Sequence, residues 1–118
     1  MIIDPVELTK NLINCKTENP NGKDAILLIK EILEKNLFEC KIIERNGIFN
    51  LFARSTNKNK YPTFGYNGHV DVVSAGSKEL WRFDPFIATE ENGFIYGRGA
   101  CDMKSSVASF VSASINII

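Results

Sequence analysis

Two short stretches hold the residues whose types and spacing could do chemistry. "GHVDVV", residues 68–73, contains His69, the only histidine of the chain, with Asp71 two residues on. A neutral imidazole at the end of a strand is a good zinc ligand. In an extended segment Asp71 projects to the same side as His69, where its carboxylate can hold the second ring nitrogen and fix the tautomer. "YGRGACDMK", residues 96–104, sets glycines on either side of Arg98 and places Asp102 just ahead of an apolar run. Gly97 and Gly99 allow tight backbone geometry that could bring Asp102 close to a ligand. Each stretch also has a plainer reading. His69 can be a hydrogen-bonded turn residue, and Asp102 can be the N-cap of the last helix, favoured there by the helix dipole. Taken singly, the plainer readings prevail. Gly-x-Gly alone says little about phosphate, and no Gly-Lys-Ser or Gly-Lys-Thr accompanies it.

These residues need elements to position them. "DPVE" announces a first helix, with Asp4 as cap, Pro5 at the first helical position and Glu7 completing a capping box, running to Asn14 or Cys15. "KTENPNG" reads as a loop. A second helix is predicted over 23–35, with Ala25, Leu28, Ile29 and Ile32 on one face and Asn36 as a left-handed stop. In "FECKII", Phe38, Cys40 and Ile42 alternate with polar neighbours; Arg45-Asn46-Gly47 signals a hairpin turn, and "IFNLFAR" returns as the second strand. "STNKNK", residues 55–60, reads as an exposed loop tip. "YPTFGYN" reads as a third strand ending at Gly68 and His69. In the long loop that follows, Trp81, Pro85 and Phe86 read as packed residues, and Glu90 and Glu91 as a solvated polar turn. "FIY", residues 94–96, is short and extended. A last helix starts near Met103, with Val107, Phe110, Val111, Ser114, Ile115 and Ile118 along one face. This order of elements predicts an α/β fold with a mixed β-sheet flanked by helices. Sheets of this kind gather ligands at strand ends, and His69 and Asp102 are both expected at such ends.

Composition narrows the function classes. The 118 residues suffice for one small domain, and 44% of them are hydrophobic, so the chain should be globular. Lys plus Arg number 14 and Asp plus Glu number 14, which gives no electrostatic case for nucleic acid or an acidic membrane surface. No apolar run approaches the roughly 18 residues of a spanning helix, and no secretion signal opens the chain, which points to the cytoplasm. Cys15, Cys40 and Cys101 make an odd count without a C-x-x-C pair, so they read as buried or half-buried thiols in a reducing compartment. Cys101 stands beside Asp102, and a reactive or metal-touching role is the alternative there.

Together the two stretches are far more specific than either alone. "YNGHVDVVSAGSKELWRFDPF" and "ENGFIYGRGACDMK" resemble the signature of a family of zinc-dependent amide hydrolases that includes aminoacylases, acetylornithine deacetylases and related carboxypeptidases. The matching elements are Gly68-His69-x-Asp71, Trp81, Asp84-Pro85-Phe86, Gly93, and Tyr96 to Gly99 followed by Asp102-Met103-Lys104. Weaker similarity runs back to the first helix. The resemblance implies that His69 is a ligand to one zinc, that Asp102 bridges two, and that Asp71 orients His69 and supports catalysis. Cobalt is an alternative metal. The "DVV" stretch with Gly76, and "GRGACDMK", look most like the desuccinylase members. Those hydrolyse N-succinyl-LL-2,6-diaminopimelate to succinate and LL-2,6-diaminopimelate, in lysine and diaminopimelate biosynthesis. Ser74 stands where the family usually has proline and Ser105 where glycine usually follows, and neither change removes a ligand.

Family members are far longer than this chain. Residues 1–118 are therefore expected to be the N-terminal portion of a catalytic domain. The Glu-Glu pair with the general base, a later acidic ligand, a final histidine and the dimerisation domain would lie outside it, and the chain would be inactive alone. The expected partner is a small N-acyl amino acid, and family members are often homodimers. Two other readings stay open: an acetylornithine deacetylase-like or dipeptidase-like hydrolase, and a non-catalytic remnant or binding module. The metal-site reading carries one geometric expectation. The coordinating atoms of His69 and Asp102 should lie within roughly 5 Å of each other.

Overall fold

The computed structural model describes residues 2–58 and 61–117. Helix α1 (Pro5–Asn14) begins as its sequence requires: Asp4 Oδ1 accepts from the Val6 N–H at 2.9 Å and Pro5 occupies the first turn. Glu7 does not close a capping box; it pairs with Lys10 at 3.2 Å, one turn further on. The helix buries Leu8, Thr9, Leu12 and Ile13. Helix α2 (Lys23–Glu34) buries Ala25, Ile26, Ile29 and Leu33, so its inward face is rotated from the expected one, and Leu28 and Ile32 flank the core. Its stop also differs. Asn36 donates its side-chain amide to the open Ile32 carbonyl at 2.8 Å, and the left-handed residue is Leu37, with φ 66°.

Strands β1 (Phe38–Arg45) and β2 (Ile48–Ser55) pair antiparallel, Arg45 opposite Ile48, across a two-residue turn in which Asn46 and Gly47 have φ 52° and 80°. Phe38, Cys40 and Ile42 on β1, and Phe49, Leu51 and Ala53 on β2, pack toward the core beside α2. A second hairpin joins β3 (Thr89–Glu91) to β4 (Phe94–Tyr96) through Asn92 and Gly93. Glu90 and Glu91 therefore belong to a strand and not to the turn, which starts one residue later. Glu90 pairs with Lys10, and Glu91 with Arg82 at 3.2 Å.

The "YPTFGYN" segment is not a strand. A ladder needs a neighbouring backbone, and among the described residues the segment is held instead by its aromatics. The Tyr66 ring stacks on Phe110 with centroids 4.2 Å apart. The expected sheet is thus realised as separate antiparallel ladders flanked by helices, with one isolated parallel bridge between Glu18 and Val72. His69 and Asp102 consequently sit in loops and not at strand ends.

Helix α3 (Ser105–Ile117) packs on α1 and buries Val107, Ala108, Val111, Ser112 and Ile115. Ser112 donates its hydroxyl to the Ile3 carbonyl. Ile118, expected on the same face, lies outside the described residues, as do positions 59 and 60 of the expected loop tip. Lys104, immediately before α3, is fully buried, and its ammonium donates to the Cys15 carbonyl at 3.0 Å, at the C-terminal end of α1. Burial lowers its pKa to about 8. No helix among the described residues is long and apolar enough to cross a membrane.

Candidate metal centre

His69 and Asp71 are held by a short strap from the loop after α1. Thr17 Oγ1 donates to the Val70 carbonyl at 2.6 Å, the Val72 N–H donates to the Thr17 carbonyl at 2.9 Å, and the Asn19 N–H to the Val72 carbonyl at 3.0 Å. Val70 and Val72 are buried, as is Thr17. Alternation then turns the intervening residues outward, and the side chains of His69 and Asp71 are 49% and 47% exposed. The i, i+2 geometry expected of a strand is thus supplied by a strap. Thr17 and Asn19 went unrecognised in the sequence because they are ordinary polar loop residues whose partners lie more than fifty positions away.

Asp102 arrives from the other side. Gly99 has φ 84°, and a Cβ built on it would stand 2.6 Å from Val72 Cγ1. A Cβ on Gly97 would stand 2.5 Å from Ile13 Cγ2. Only glycine permits so close a passage, and at Gly99 the left-handed turn as well. The five-residue turn that follows, Ala100–Lys104, is closed by the Lys104 N–H donating to the Gly99 carbonyl at 2.8 Å. Asp102 has non-helical φ −121° and ψ 91°, makes no capping bond, and is 87% exposed. Asp102 is therefore not a helix cap, and the helix proper begins three residues later, at Ser105.

The two halves meet. His69 Nε2 lies 3.2 Å from Asp102 Oδ1. Its Nδ1 lies 3.3 Å from Asp71 Oδ1 and 3.1 Å from the Asp71 carbonyl oxygen. The second oxygen of Asp71 accepts from Asn19 Nδ2 at 3.1 Å. A neutral ring that donates through Nδ1 to Asp71 leaves the Nε2 lone pair on the Asp102 side. An imidazole nitrogen and a carboxylate oxygen are donor types that zinc takes. Tetrahedral zinc with bonds of about 2.0–2.2 Å spaces its donors about 3.4 Å apart, so the pair fits two positions of one coordination sphere. Among the described residues no group of three or more His, Cys, Asp or Glu is arranged to hold a metal ion. His69, Asp71 and Asn19 also line a cleft of about 340 Å³ whose other walls include Ile29, Phe49 and Val111.

The neighbouring motif residues are structural. Trp81 donates its indole N–H to the Ala75 carbonyl at 2.9 Å, the Arg98 guanidinium lies 5.0 Å from the Trp81 ring, and the Arg98 N–H donates to the carbonyl of buried Pro85 at 2.7 Å. Cys15 and Cys40 are half-buried, and burial raises both thiols. Cys101 is exposed, contrary to the expectation for the cysteines as a group; it lies with exposed Asp102 on the outer side of a turn whose last residue, Lys104, is buried.

Comparison with known proteins bears on the same residues. Residues 65–117, which include His69, Asp71 and Asp102, match the model of peptidase family M20/M25/M40. The chain is 44% identical over 118 residues to a succinyl-diaminopimelate desuccinylase of Cereibacter sphaeroides, covering 100% of this chain and 31% of that protein. It is 47% identical over 115 residues to the enzyme of that description from Dinoroseobacter shibae, covering 98% of this chain and 30% of the relative. The chain thus spans about a third of the length of these curated relatives. In three dimensions it is similar to human carnosine dipeptidase 1, with a TM-score of 0.79 and 19% identity over 95% of this chain and 27% of that one; at that identity the likeness concerns the fold. The chain is related to the M20 peptidases, specifically to succinyl-diaminopimelate desuccinylase, and matches an N-terminal portion of that enzyme.

Proposed function

We propose that this chain carries one half of the metal centre of an amide hydrolase whose substrate is N-succinyl-LL-2,6-diaminopimelate. The products are succinate and LL-2,6-diaminopimelate, by addition of one water across the amide bond. The observation that carries this reading is the 3.2 Å approach of His69 Nε2 to Asp102 Oδ1, with Asp71 on the opposite ring nitrogen. The identity to desuccinylases supports the choice of substrate.

His69 would hold zinc, or cobalt, through Nε2, and Asp102 would hold it through its carboxylate, which has a second oxygen free to reach a second ion. Two metals supply Lewis acidity toward the amide carbonyl and a water acidic enough to ionise near neutral pH. Asp71 keeps the Nδ1 proton in place, so the ring presents its lone pair and not an N–H toward the metal side. The exposure of His69 and Asp102 leaves the pair accessible to a small molecule. In this reading the general base, the remaining ligands and the dimerisation domain come from sequence beyond these residues. The enzyme works in the cytoplasm.

Zinc titration of the 118-residue chain by calorimetry tests the reading. We expect one weakly held zinc, because each ion here has only one or two protein donors where an open catalytic site keeps about three. Binding should be lost in His69→Ala and reduced in Asp102→Asn, and no succinate should be released from the substrate. Zinc binding unaffected by either substitution would contradict the assignment. Turnover by the chain would show that it completes the site itself.

A further inference from the structure

We infer that Asn19 is a positioning residue for this site, acting on His69 through Asp71. The inference rests on the reading of His69 as a metal ligand. Asp71 has two carboxylate oxygens and two neighbours: Oδ1 faces His69 Nδ1 at 3.3 Å and Oδ2 accepts from Asn19 Nδ2 at 3.1 Å. An ionised carboxylate only accepts and an amide N–H only donates, so the polarity of the contact is fixed. Holding both oxygens sets the plane of the carboxylate, and the plane decides whether Oδ1 points at the imidazole. Asp71 is about half exposed, so these two contacts supply much of what orients its carboxylate. A carboxylate free to rotate into solvent would leave Nδ1 only the Asp71 backbone carbonyl at 3.1 Å, without a charged acceptor, and would weaken the preference for the tautomer that frees Nε2.

The Asn19 side chain is not needed to build the strap. Its backbone N–H already donates to the Val72 carbonyl at 3.0 Å, and its residue is exposed. Asparagine in a loop commonly turns its amide to nearby backbone. Here the amide reaches across to a residue 52 positions away. The contact therefore links the chain segment after α1 to the ring orientation of the only histidine.

That singularity makes the test direct, because every imidazole signal in the spectrum belongs to His69. The 118-residue chain with ¹⁵N-labelled histidine is compared with Asn19→Ala, Asn19→Leu and, as reference, Asp71→Ala. Leucine keeps the branched outline of asparagine and removes the amide. Solvent exchange of the Nδ1 proton is read by NMR without metal and with zinc, alongside zinc affinity and the urea midpoint. Both Asn19 variants should exchange the Nδ1 proton faster in either state with the urea midpoint unchanged. They should weaken zinc by about three- to tenfold, short of the about 10–100-fold typical of a direct outer partner such as Asp71. If Asn19→Leu behaves as wild type, the side chain acts through shape alone and the inference is overturned. Unchanged exchange in both variants overturns it too. If wild type does not bind zinc while the metal-free exchange still responds to Asn19, the metal reading has failed and the positioning of the ring has not.

Discussion

The β1–β2 hairpin and the loops around His69 satisfy their backbone by opposite means. In the hairpin every pairing is local. Eight residues face eight across a two-residue turn, with α2 covering the inward side chains. Around His69 the described residues form no ladder beyond a single bridge. Order there comes from Thr17 and Asn19, from two glycines that pass close to Ile13 and Val72, and from Lys104 tying the end of α1 to the start of α3. The hairpin can therefore absorb a fault at its turn. The site has few parts, each with long-range partners, and a fault at Gly99 or Thr17 moves a functional side chain.

Two glycines with nearly the same φ put this difference to work. Gly47 and Gly99 have φ 80° and 84°, but a Cβ on Gly47 meets nothing within 4 Å whereas one on Gly99 meets Val72 Cγ1 at 2.6 Å. Gly99→Ala adds backbone strain of about 1–3 kcal/mol to a steric overlap of similar size, so it should be the most destabilising change considered. It should also separate Asp102 from His69, visible as a loss of zinc binding. Thr17→Val comes next. It leaves the buried Val70 carbonyl without its donor, at about 1–3 kcal/mol in urea unfolding, and should loosen the His69 loop in hydrogen exchange. Gly47→Ala should carry the backbone strain alone, about 1–3 kcal/mol, without the overlap, and leave zinc affinity unchanged. Equal effects from the two glycine substitutions would erase the distinction between the regions.

The smallest effect at neutral pH concerns Lys104. Its folded pKa of about 8 lies below the ordinary 10.5 because of burial. Below pH 8 both folded and unfolded chains carry the proton and the cost of burying the charge is fully present. Between about pH 8 and 10.5 the unfolded chain holds a proton that the folded chain has released, so stability should rise with pH across that window. Lys104→Met should be close to neutral at pH 7 and should abolish the rise, measured by urea unfolding at two pH values.

The same contrast explains what could be read in the sequence. The first hairpin was legible because Asn46-Gly47 and the alternation of Phe38, Cys40 and Ile42 are local signals. The second was not, since its three-residue strands are too short for a period and Glu90 and Glu91 look like turn residues. The false third strand at "YPTFGYN" has strand composition, but pairing is decided by a neighbour that local sequence does not describe. His69 and Asp71 could be linked from their spacing alone. Asp102 was ambiguous between cap and ligand until the non-helical turn after Gly99 removed the cap. Thr17 and Asn19 carried no signal, because a side-chain bond across fifty residues leaves no periodicity.

The metal-binding capacity of the site turns on which nitrogen of His69 faces outward toward Asp102. Histidine ¹⁵N NMR of the wild-type chain during a zinc titration reads this directly. Nε2 should shift as zinc is added while Nδ1 keeps its proton and its contact with Asp71. Zinc appearing at Nδ1, or a ring that does not respond to zinc at all, would contradict the assignment of His69 as a ligand through Nε2.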